Sequence, residues 1–453
     1  MMRQRFSDFV EREERSGGAG GQSASFRSFL TKAFLLGTLM ANASAALAKD
    51  CSPASDGSNP CPVTLVRPPV TPLSAMAKLG KALFFDKRLS GSGQLSCASC
   101  HVPSAHYAPD NALAFAKGGV AMDKFGVRAV PSLTYRERQP PFSVGPDNAT
   151  SETAPPPPPP PGIKGVKSAS NTGASAQAMV PQGGLFWDGR ADTLQSQAAG
   201  PLFDAREMAA THPGVAARLR HAPYSADLFR LIGAHASDDM LIAEALFALA
   251  RYQIEAPSFH PYSSRYDAWL EGKIRLTRDE AEGMRLFNDP AKGNCAACHL
   301  SAVDEEGRPP LFTDHQYEAL AAPRNPLAPK GTYDLGLCAA GRADIGHNDA
   351  YCGFFRTPSL RNSATRKVFF HNGVFTSLRE VLDFYVLRDI EPERFYPMRK
   401  DGKVVIGDDL PSIYKENTDV SDAPFGIKRK NISQKEREKI IFFLQTLTDD
   451  KTK

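Results

Sequence analysis

Apolar residues recur at helical spacing in several stretches of the chain, whereas the strict alternation typical of strands is scarce. One such stretch follows Ser433, and its apolar face consists of Ile440, Ile441, Leu444 and Leu447. Another follows Ser237, and its apolar face consists of Leu241, Ala245, Leu246 and Leu249. Ser433 and Thr277 each have a glutamate three residues later, the capping-box pattern that starts a helix. The pattern predicts a mainly α fold.

An uncharged stretch at 33–48 lies near the start of the chain and follows Arg27 and Lys32. It is shorter than the roughly 20 residues that a membrane-spanning helix needs. It ends in Ala46-Leu47-Ala48, a small-x-small pattern typical of signal-peptide cleavage. We predict a signal peptide at 1–48 and, after cleavage, a chain that does not span a membrane. A membrane anchor is the alternative.

Seven consecutive prolines, 155–161, interrupt the chain and are followed by small and polar residues as far as about 177. Such a composition favours an extended, solvated segment over a packed one. We interpret 145–178 as an exposed insertion. A ligand for a proline-binding partner is the alternative interpretation.

Length and composition limit the class of protein. At 453 residues and 49.1 kDa, the chain is long enough for two domains. Hydrophobic residues make up 42% and charged residues 23%, which excludes a collagen-like, coiled-coil or multi-span membrane protein. The 54 basic and 50 acidic residues nearly balance, so the charge gives no reason to expect a nucleic-acid partner.

Four of the eight cysteines form two copies of one motif. Cys97–His101 and Cys295–His299 both have the pattern C-x-x-C-H, the signature of haem c attachment. Two thiols at this spacing bond to the haem vinyl groups, and the histidine that follows ligates the iron. C-x-x-C pairs also occur in zinc sites and thioredoxin-like folds, but here a histidine follows both pairs. We predict two covalent haems, held by Cys97, Cys100, His101, Cys295, Cys298 and His299.

The other four cysteines are close enough in sequence to pair as Cys51 with Cys61 and Cys338 with Cys352. An exported protein meets an oxidising compartment, which permits disulfides. No sequence rule fixes the pairing, and free buried thiols stay open as the alternative for Cys338 and Cys352.

Further motifs occur in the same order as in a known family. They are Leu95–His101, Phe186–Arg190 with Gln197 and Glu207 after it, the second C-x-x-C-H, Thr357–Asn362 and Phe370–Gly373. With them the chain resembles the bacterial di-haem cytochrome c peroxidase family, and within it the MauG-type branch, over about residues 70–447. The resemblance implies two cytochrome c-like helical haem domains packed face to face. These are a peroxidatic haem domain at 69–260, which contains the insertion, and an electron-transfer haem domain at 261–453, after a tether at 49–68.

The resemblance also assigns roles around the first haem. That haem is the peroxide site of the family, which makes His101 its proximal ligand. By position, Gln197 and Glu207 match the family's distal pair, in which Glu207 moves a proton and Gln197 orients the peroxide. A solvated helix face is the alternative for both. Trp187 resembles the indole that lies between the two haems and passes electrons, with simple core packing as the alternative.

Family members that rest in a closed state have a distal histidine seven residues before the arginine of a G-x-R-N-x-P segment. Here that arginine is Arg128, and the position seven residues earlier is Ala121. The resemblance therefore implies an open first haem, as in MauG-type proteins. Met122 is the alternative ligand, and we expect His106 to lie at the surface or at the haem edge.

The second haem, with His299 as its proximal ligand, ordinarily takes a methionine as its other ligand. In the corresponding stretch, which starts at Glu380, Tyr385 stands at that position. A phenolate is a hard, anionic ligand that stabilises oxidised iron. Tyr385 also shares a helical face with three apolar residues, so core packing is the alternative, and Met398 is the fallback ligand.

Two further positions bear on the site. We expect His371, in Phe-His-Asn-Gly, to support the haem environment rather than to bind iron. Family members hold a calcium ion partly through the asparagine after the G-x-R arginine. Ala129 stands there and has no side-chain oxygen, so calcium binding stays open.

The leading hypothesis is a periplasmic peroxidase of the cytochrome-c peroxidase type. It would reduce hydrogen peroxide to water through high-valent iron, with electrons from a small c-type cytochrome or a cupredoxin. Haem c is attached on the exported side of the bacterial membrane, in agreement with the signal peptide. One alternative is a MauG-type maturase that oxidises residues of a partner protein, and another is a non-catalytic di-haem electron carrier. The family that the chain resembles includes both monomers and homodimers, so the resemblance leaves the oligomeric state open.

Overall fold

Helices carry most of the regular structure. A computed structural model describes residues 51–147, 179–420 and 432–450. Its α-helices are α1 (Ala75–Phe84), α2 (Cys97–Cys100), α3 (Leu194–Phe203), α4 (His212–Arg220), α5 (Ser225–Ile232), α6 (Asp238–Glu255), α7 (Arg265–Leu270), α8 (Arg278–Asn288), α9 (Leu378–Leu387) and α10 (Gln434–Gln445). The prediction of a mainly α protein is confirmed.

The predicted helix starts are also confirmed. Ser433 caps α10, and the Ser433 amide donates to Glu436 at 2.7 Å. Thr277 caps α8 in the same way, with its amide 2.8 Å from Glu280 Oε2. Ser237 caps α6, and its hydroxyl accepts from the Met240 amide at 3.2 Å. Each cap satisfies amides that the first helical turn leaves without a carbonyl partner.

The strands are short and form three antiparallel pairs in the described part of the chain. They are β1 (Lys117–Gly118) with β2 (Lys124–Phe125), β3 (Ser143–Pro146) with β4 (Met179–Gln182), and β5 (Tyr317–Glu318) with β6 (Phe355–Arg356). The β3 and β4 strands flank the proline-rich segment. The predicted insertion at 145–178 lies outside the described residues except for 145–147, and Gly145 and Pro146 pair within β3.

Two large buried clusters lie at two helix crossings. The first cluster centres on α1 and α6, and the second on α8 and α10. A glycine allows close contact at each crossing. A Cβ atom at Gly80 of α1 would lie 1.8 Å from the Ala248 carbonyl oxygen of α6, and one at Gly283 of α8 would lie 1.9 Å from the Lys439 carbonyl oxygen of α10. Only a residue without a Cβ lets these backbones approach so closely.

The segment before α1 packs against the second cluster. Leu65 is one of the buried members of that cluster, and the Asn59 side chain donates to the Leu270 carbonyl at 3.0 Å. Arg67 forms an ion pair with Glu271 at 2.7 Å. The predicted signal peptide at 1–48 lies outside the described residues. The domain boundaries at 69–260 and 261–453 stay predictions.

Both cysteine pairs that the sequence left open are disulfides. Cys51 is bonded to Cys61, and Cys338 is bonded to Cys352. Cys338 and Cys352 are both buried. Among the helices in the described ranges, none combines the length and the apolar character required to cross a bilayer.

Candidate functional site

The first C-x-x-C-H motif occupies a single helical turn. Cys97 and Cys100 are the first and last residues of α2, and neither forms a disulfide. Ser96 is the N-cap of this turn, and its amide donates to Ser99 Oγ at 2.9 Å. The helical spacing places both thiols beside His101, whose amide donates to the Cys97 carbonyl at 2.9 Å.

The His101 ring is held in one tautomer. Its Nδ1 lies 3.1 Å from the Tyr107 carbonyl oxygen, which can only accept, so Nδ1 carries the proton. Burial, opposed by hydrogen bonding to carbonyls, lowers the pKa of His101 to about 4. The ring is therefore neutral at neutral pH, and Nε2 presents a lone pair. A histidine that ligates a metal through one ring nitrogen usually donates a hydrogen bond from the other, as Nδ1 does here.

The second motif repeats this arrangement. Asn294 begins the turn with a positive φ of 47°, and Cys295–Ala297 forms one 3-10 turn. His299 Nδ1 lies 2.8 Å from the Phe312 carbonyl oxygen, and burial lowers the pKa of His299 to about 4. Cys295 and Cys298 form no disulfide. Both motifs thus present two thiols and one neutral imidazole with Nε2 as its ligand atom.

The alternatives to haem attachment fit this chemistry poorly. Thioredoxin-like pairs need a thiol of lowered pKa, whereas burial raises the pKa of the Cys97 thiol to about 12. A zinc site needs further ligands close to the two thiols. Within the described ranges, the group of three metal-binding side chains lies instead at His347, Asp349 and Cys352, and Cys352 is in a disulfide.

Each motif lies beside a large cavity. The space without protein atoms is about 1650 Å³ in each case, a volume that includes open solvent at the cavity mouth. The walls of the first cavity, next to Cys97–His101, are mainly apolar and include Phe84, Leu89, Leu95, Leu133, Leu202 and Leu249. The walls of the second cavity, next to Cys295–His299, include Phe287, Leu320, Leu360, Phe370, Leu382 and Leu444. Large apolar cavities with paired thiols and a neutral imidazole fit a haem group at both motifs.

The predicted distal residues lie at the first cavity. Gln197, on α3, and Glu207, in the turn after α3, line the same walls as Cys100 and His101. Burial, and after it the charge of Asp204, raises the pKa of Glu207 above the usual glutamate value. The structure therefore brings both residues to the first motif and favours the protonated form of Glu207 more than solvent would.

The described residues at and beside the predicted distal position, Ala121 and Met122, do not line the first cavity. Ala121 is exposed. Met122 packs instead against the first buried cluster. His106 is also outside the wall, and its backbone carbonyl accepts from Ser132 Oγ at 2.7 Å.

Tyr385 lies in the second cavity together with Cys295, Cys298 and His299. Burial, and after it the charge of Cys298, raises the pKa of Tyr385 well above its usual value, so the free phenol is neutral. Met398 is 66% exposed and is not part of the cavity wall. Of the two sequence candidates for the second ligand, Tyr385 is therefore the one that faces the second motif.

Trp187 lines both cavities. Its Nε1 donates to the Ala129 carbonyl at 2.8 Å, and the Ala129 amide donates to the His371 carbonyl at 2.7 Å. The indole is thus fixed between the two motifs. The Ala129 side chain is a methyl group, so it offers no oxygen to a calcium ion, and calcium binding stays an open prediction.

His371 lies on the wall of the second cavity and is 6% exposed. Its ring stacks on Phe355 with centroids 3.5 Å apart, and its Nε2 lies 3.5 Å from Asp409 Oδ2. These contacts fix the ring in place. The predicted supporting role of His371 stays a prediction.

Sequence reasoning missed an ion-pair network between the cavities. Arg128 pairs with Asp188, which lines the first cavity, and with Asp334, which lines the second. Burial alone would raise the pKa of Asp334, but the charge of Arg128 lowers it to about 2. Asp334 lies 206 positions from Arg128, so no local sequence pattern predicts this ion pair.

Comparison with known proteins places these features in context. The model of the family described as di-haem cytochrome c peroxidase matches residues 74–275. The chain is 32% identical to the methylamine utilization protein MauG of Paracoccus denitrificans over 327 residues, which is 69% of this chain and 74% of that protein. It is also 32% identical to the cytochrome c551 peroxidase of Nitrosomonas europaea over 317 residues, with the same two coverages.

A solved structure shows the same similarity in three dimensions. The crystal structure of the di-haem peroxidase BthA from Burkholderia thailandensis superposes with a TM-score of 0.71 and 32% identity. The match covers 88% of this chain and 93% of that one. The similarity therefore extends over both C-x-x-C-H motifs of the chain, beyond the range of the family model.

Proposed function

Because this chain belongs to the di-haem cytochrome c peroxidase family, we propose that it reduces hydrogen peroxide to water in the periplasm, with electrons from a small c-type cytochrome or cupredoxin. Membership makes it an oxidoreductase of the cytochrome-c peroxidase type with two haem cofactors, and implies hydrogen peroxide and a redox partner. The reaction takes up two protons and two electrons for each peroxide and releases two waters. The protein must supply a proton at one site and bring electrons from another.

The position of Glu207 and Gln197 on the wall beside His101 carries the proposal. When bound, haem supplies a redox-active iron at which the O–O bond of peroxide is cleaved. The raised pKa keeps a larger share of Glu207 protonated, so its carboxyl group delivers a proton to the leaving oxygen. The Gln197 amide donates a hydrogen bond that orients the peroxide. Ala121 leaves the distal side open to peroxide.

The remaining residues serve attachment and electron supply. Cys97 and Cys100 attach the first haem and Cys295 and Cys298 the second, a proposal supported by the finding that none of these four cysteines is in a disulfide. Trp187 passes electrons between the two sites, because its indole lines both cavities. His101 and His299 act as the proximal ligands.

Tyr385 would ligate the second iron through its phenolate. Its position in the second cavity supports this assignment, and coordination to a cation removes the proton that burial otherwise retains. An anionic oxygen ligand lowers the reduction potential relative to a methionine. Tyr385→Phe should change the spin state and the potential of one haem only. Met398→Leu is the matched control and should leave both haems unchanged; a change in Met398→Leu with none in Tyr385→Phe would assign the ligand to Met398.

Glu207→Gln tests the catalytic proposal. General acid catalysis contributes about 10²–10⁴-fold, so kcat/KM for hydrogen peroxide should fall by about that factor while both haem spectra are retained. Glu305→Gln is the control, because Glu305 is exposed and lies outside both cavity walls. Unchanged turnover in Glu207→Gln would contradict the proposed role of Glu207.

A second candidate function is the oxidation of residues in a partner protein. The 32% identity to MauG favours this reading as much as the equal identity to a cytochrome c551 peroxidase favours the first. The two functions differ in their reductant. Rapid peroxide turnover with a reduced small cytochrome or cupredoxin supports the peroxidase. Slow turnover with these donors, together with peroxide-dependent oxidation of a co-purified protein, supports the maturase.

The periplasmic location rests on the predicted signal peptide and on the chemistry of the cysteines. Two disulfides within one chain are typical of an oxidising compartment. Covalent haem c attachment would take place in the same compartment. Mass spectrometry of the purified protein tests both: the mature chain should begin at Lys49 and carry two haems. A chain that retains residues 1–48 after export would contradict the cleavage site.

A further inference from the structure

Three arginines near the two motifs have no carboxylate partner among the described residues. Elsewhere in the chain, buried arginines are paired: Arg361 with Asp267 at 2.7 Å and Arg388 with Asp389 at 2.9 Å. The guanidinium groups of the three unpaired arginines donate only to backbone carbonyls. These bonds are Arg136 to Ser132 (2.8 Å), Arg366 to Val130 (3.0 Å) and to Val368 (3.3 Å), and Arg356 to Phe186 and to Thr357 (both 3.3 Å).

The three side chains lie deep in the fold and close to one another. Arg356 is 5% exposed, whereas Arg136 and Arg366 keep part of their surface accessible. Burial, followed by the charges of Arg356 and Arg366, lowers the pKa of Arg136 to about 9. Burial lowers the pKa of Arg366 to about 10, and that of Arg356 falls for the same reason. The charges of Asp314 near Arg356 and of Glu137 near Arg136 oppose this lowering of the pKa, but burial outweighs them and neither carboxylate forms an ion pair with its arginine.

The three arginines connect the two motifs. Arg356 lines the second cavity, and its amide donates to the Trp187 carbonyl at 2.8 Å. Arg366 donates to the carbonyl of Val130, which lines the first cavity, and Arg136 donates to the carbonyl of Ser132, the residue after Pro131 of the same wall. The arginine cluster of Arg136, Arg356 and Arg366 therefore reaches from the first motif to the second.

A buried cluster of like charges is costly unless an anion joins it. Haem carries two propionate carboxylates, and two haems attached at these motifs bring four into this part of the fold. Guanidinium groups bind carboxylates through two parallel hydrogen bonds. The anion that the arginine cluster lacks is thus one that each haem carries.

We propose that Arg136, Arg356 and Arg366 form one carboxylate-binding site that holds propionate groups of both haems, and so couples the two haems electrostatically. This inference rests on the proposed two-haem function. Positive charge near an iron favours its reduced form, since reduction lowers the charge of the iron by one unit. The arginine cluster therefore raises the reduction potentials of both haems together.

Spectroelectrochemical titration of the holoprotein tests the proposal, with haem content measured in parallel. Arg136→Gln, Arg366→Gln and Arg356→Gln should each lower the equilibrium constant for reduction at both haems. The expected factor is about tenfold, equal to about 59 mV for one electron. Arg366→Lys keeps the charge and should restore most of the potential. Arg285→Gln is the control for loss of an arginine charge, because Arg285 donates to the Pro53 carbonyl and pairs with Glu282, and none of these three residues lines either cavity.

The outcomes separate the inference from the proposed function. A wild-type protein without two haems would overturn the proposed function itself. A wild-type protein with two haems, together with glutamine variants that keep the wild-type potentials, would overturn only the carboxylate site. A shift at one haem alone would overturn the shared site. If a free anion fills the cluster instead, the wild-type potentials will change with chloride or phosphate at constant ionic strength; propionate groups predict no such change.

Discussion

Replacing Gly80 by alanine tests whether helices α1 and α6 approach as closely as the structure has them. The added Cβ would lie 1.8 Å from the Ala248 carbonyl oxygen, at least 1.6 Å short of the 3.4 Å of ordinary contact. Because the opposing atom belongs to the backbone, no side-chain rotation relieves the clash, and the helices must move apart. Alanine favours a helix by about 1 kcal/mol over glycine. Overpacking of a core costs about 1–3 kcal/mol or more.

Because the opposing atom belongs to the backbone, the cost should lie at the upper end of this range, and after the gain in helix propensity we expect Gly80→Ala to lower the free energy of unfolding by about 1–2 kcal/mol. The same movement should loosen the first haem cavity, because Phe84 of α1 and Leu249 of α6 form part of its wall. Chemical denaturation followed by circular dichroism measures the stability, and the absorbance of the haem bands follows the cavity. Gly283→Ala should behave alike at the α8 and α10 crossing, where the distance is 1.9 Å.

Gly126→Ala is the control for the stability measurement, since a Cβ there would have its nearest neighbour at 3.8 Å; it is not a control for the haem bands, because Gly126 lines the first cavity. Alanine removes the same backbone freedom from the unfolded chain at all three positions. The control should thus be neutral or slightly stabilising. A Gly80→Ala protein as stable as the control would refute the close crossing of α1 and α6.

Three further predictions concern the site and the cysteines. Trp187→Phe leaves the Ala129 carbonyl without its donor; it should cost about 1–3 kcal/mol of stability and slow electron transfer between the haems in rapid-mixing experiments, with the haem content unchanged. Burial raises the pKa of Asp314 to about 7 from the usual value near 4. Between about pH 4 and pH 7 the carboxyl group of Asp314 is ionised in the unfolded chain but not in the folded protein. The group therefore lowers the stability by up to about 1.4 kcal/mol per pH unit as the pH rises through this range. Asp314→Asn should flatten that part of the plot of stability against pH, and an unchanged plot would contradict the raised pKa. Replacing both Cys338 and Cys352 by serine removes a bond between residues 14 positions apart and should lower the free energy of unfolding by about 3 kcal/mol. Reduction of the wild-type protein should lower it by at least as much, because it also opens Cys51–Cys61.

Features that depend on neighbouring residues were predictable from the sequence. Haem attachment needs two thiols and a histidine at fixed local spacing, so Cys97–His101 and Cys295–His299 stand out in the chain. Helix caps are equally local, and Ser433, Thr277 and Ser237 start helices where the pattern predicted. The resemblance to the di-haem cytochrome c peroxidase family, carried by short motifs in order, was confirmed by the relatives and the solved structure.

The tertiary structure decided which distant residues meet. Gln197 and Glu207 lie about a hundred positions after Cys97, and only the fold brings them to one cavity wall. The sequence also left undecided whether Cys338 and Cys352 form a disulfide and whether Trp187 lies between the two motifs or only packs in the core. The structure has the disulfide and places Trp187 on the walls of both cavities.

Electrostatic partners were the least predictable from the sequence. Arg128 and Asp334 form an ion pair although they lie 206 positions apart in the sequence. Arg136 and Arg366 are also arginines near these motifs, but they form no ion pair with a carboxylate of the described residues. The physical reason is that a charge interacts through space with whatever the fold packs against it, and neighbours in space are not neighbours in sequence. The sequence by itself therefore determined where the two C-x-x-C-H motifs lie and where helices start. Only the tertiary structure decided which side chains face the two cavities and which charges there remain without a partner.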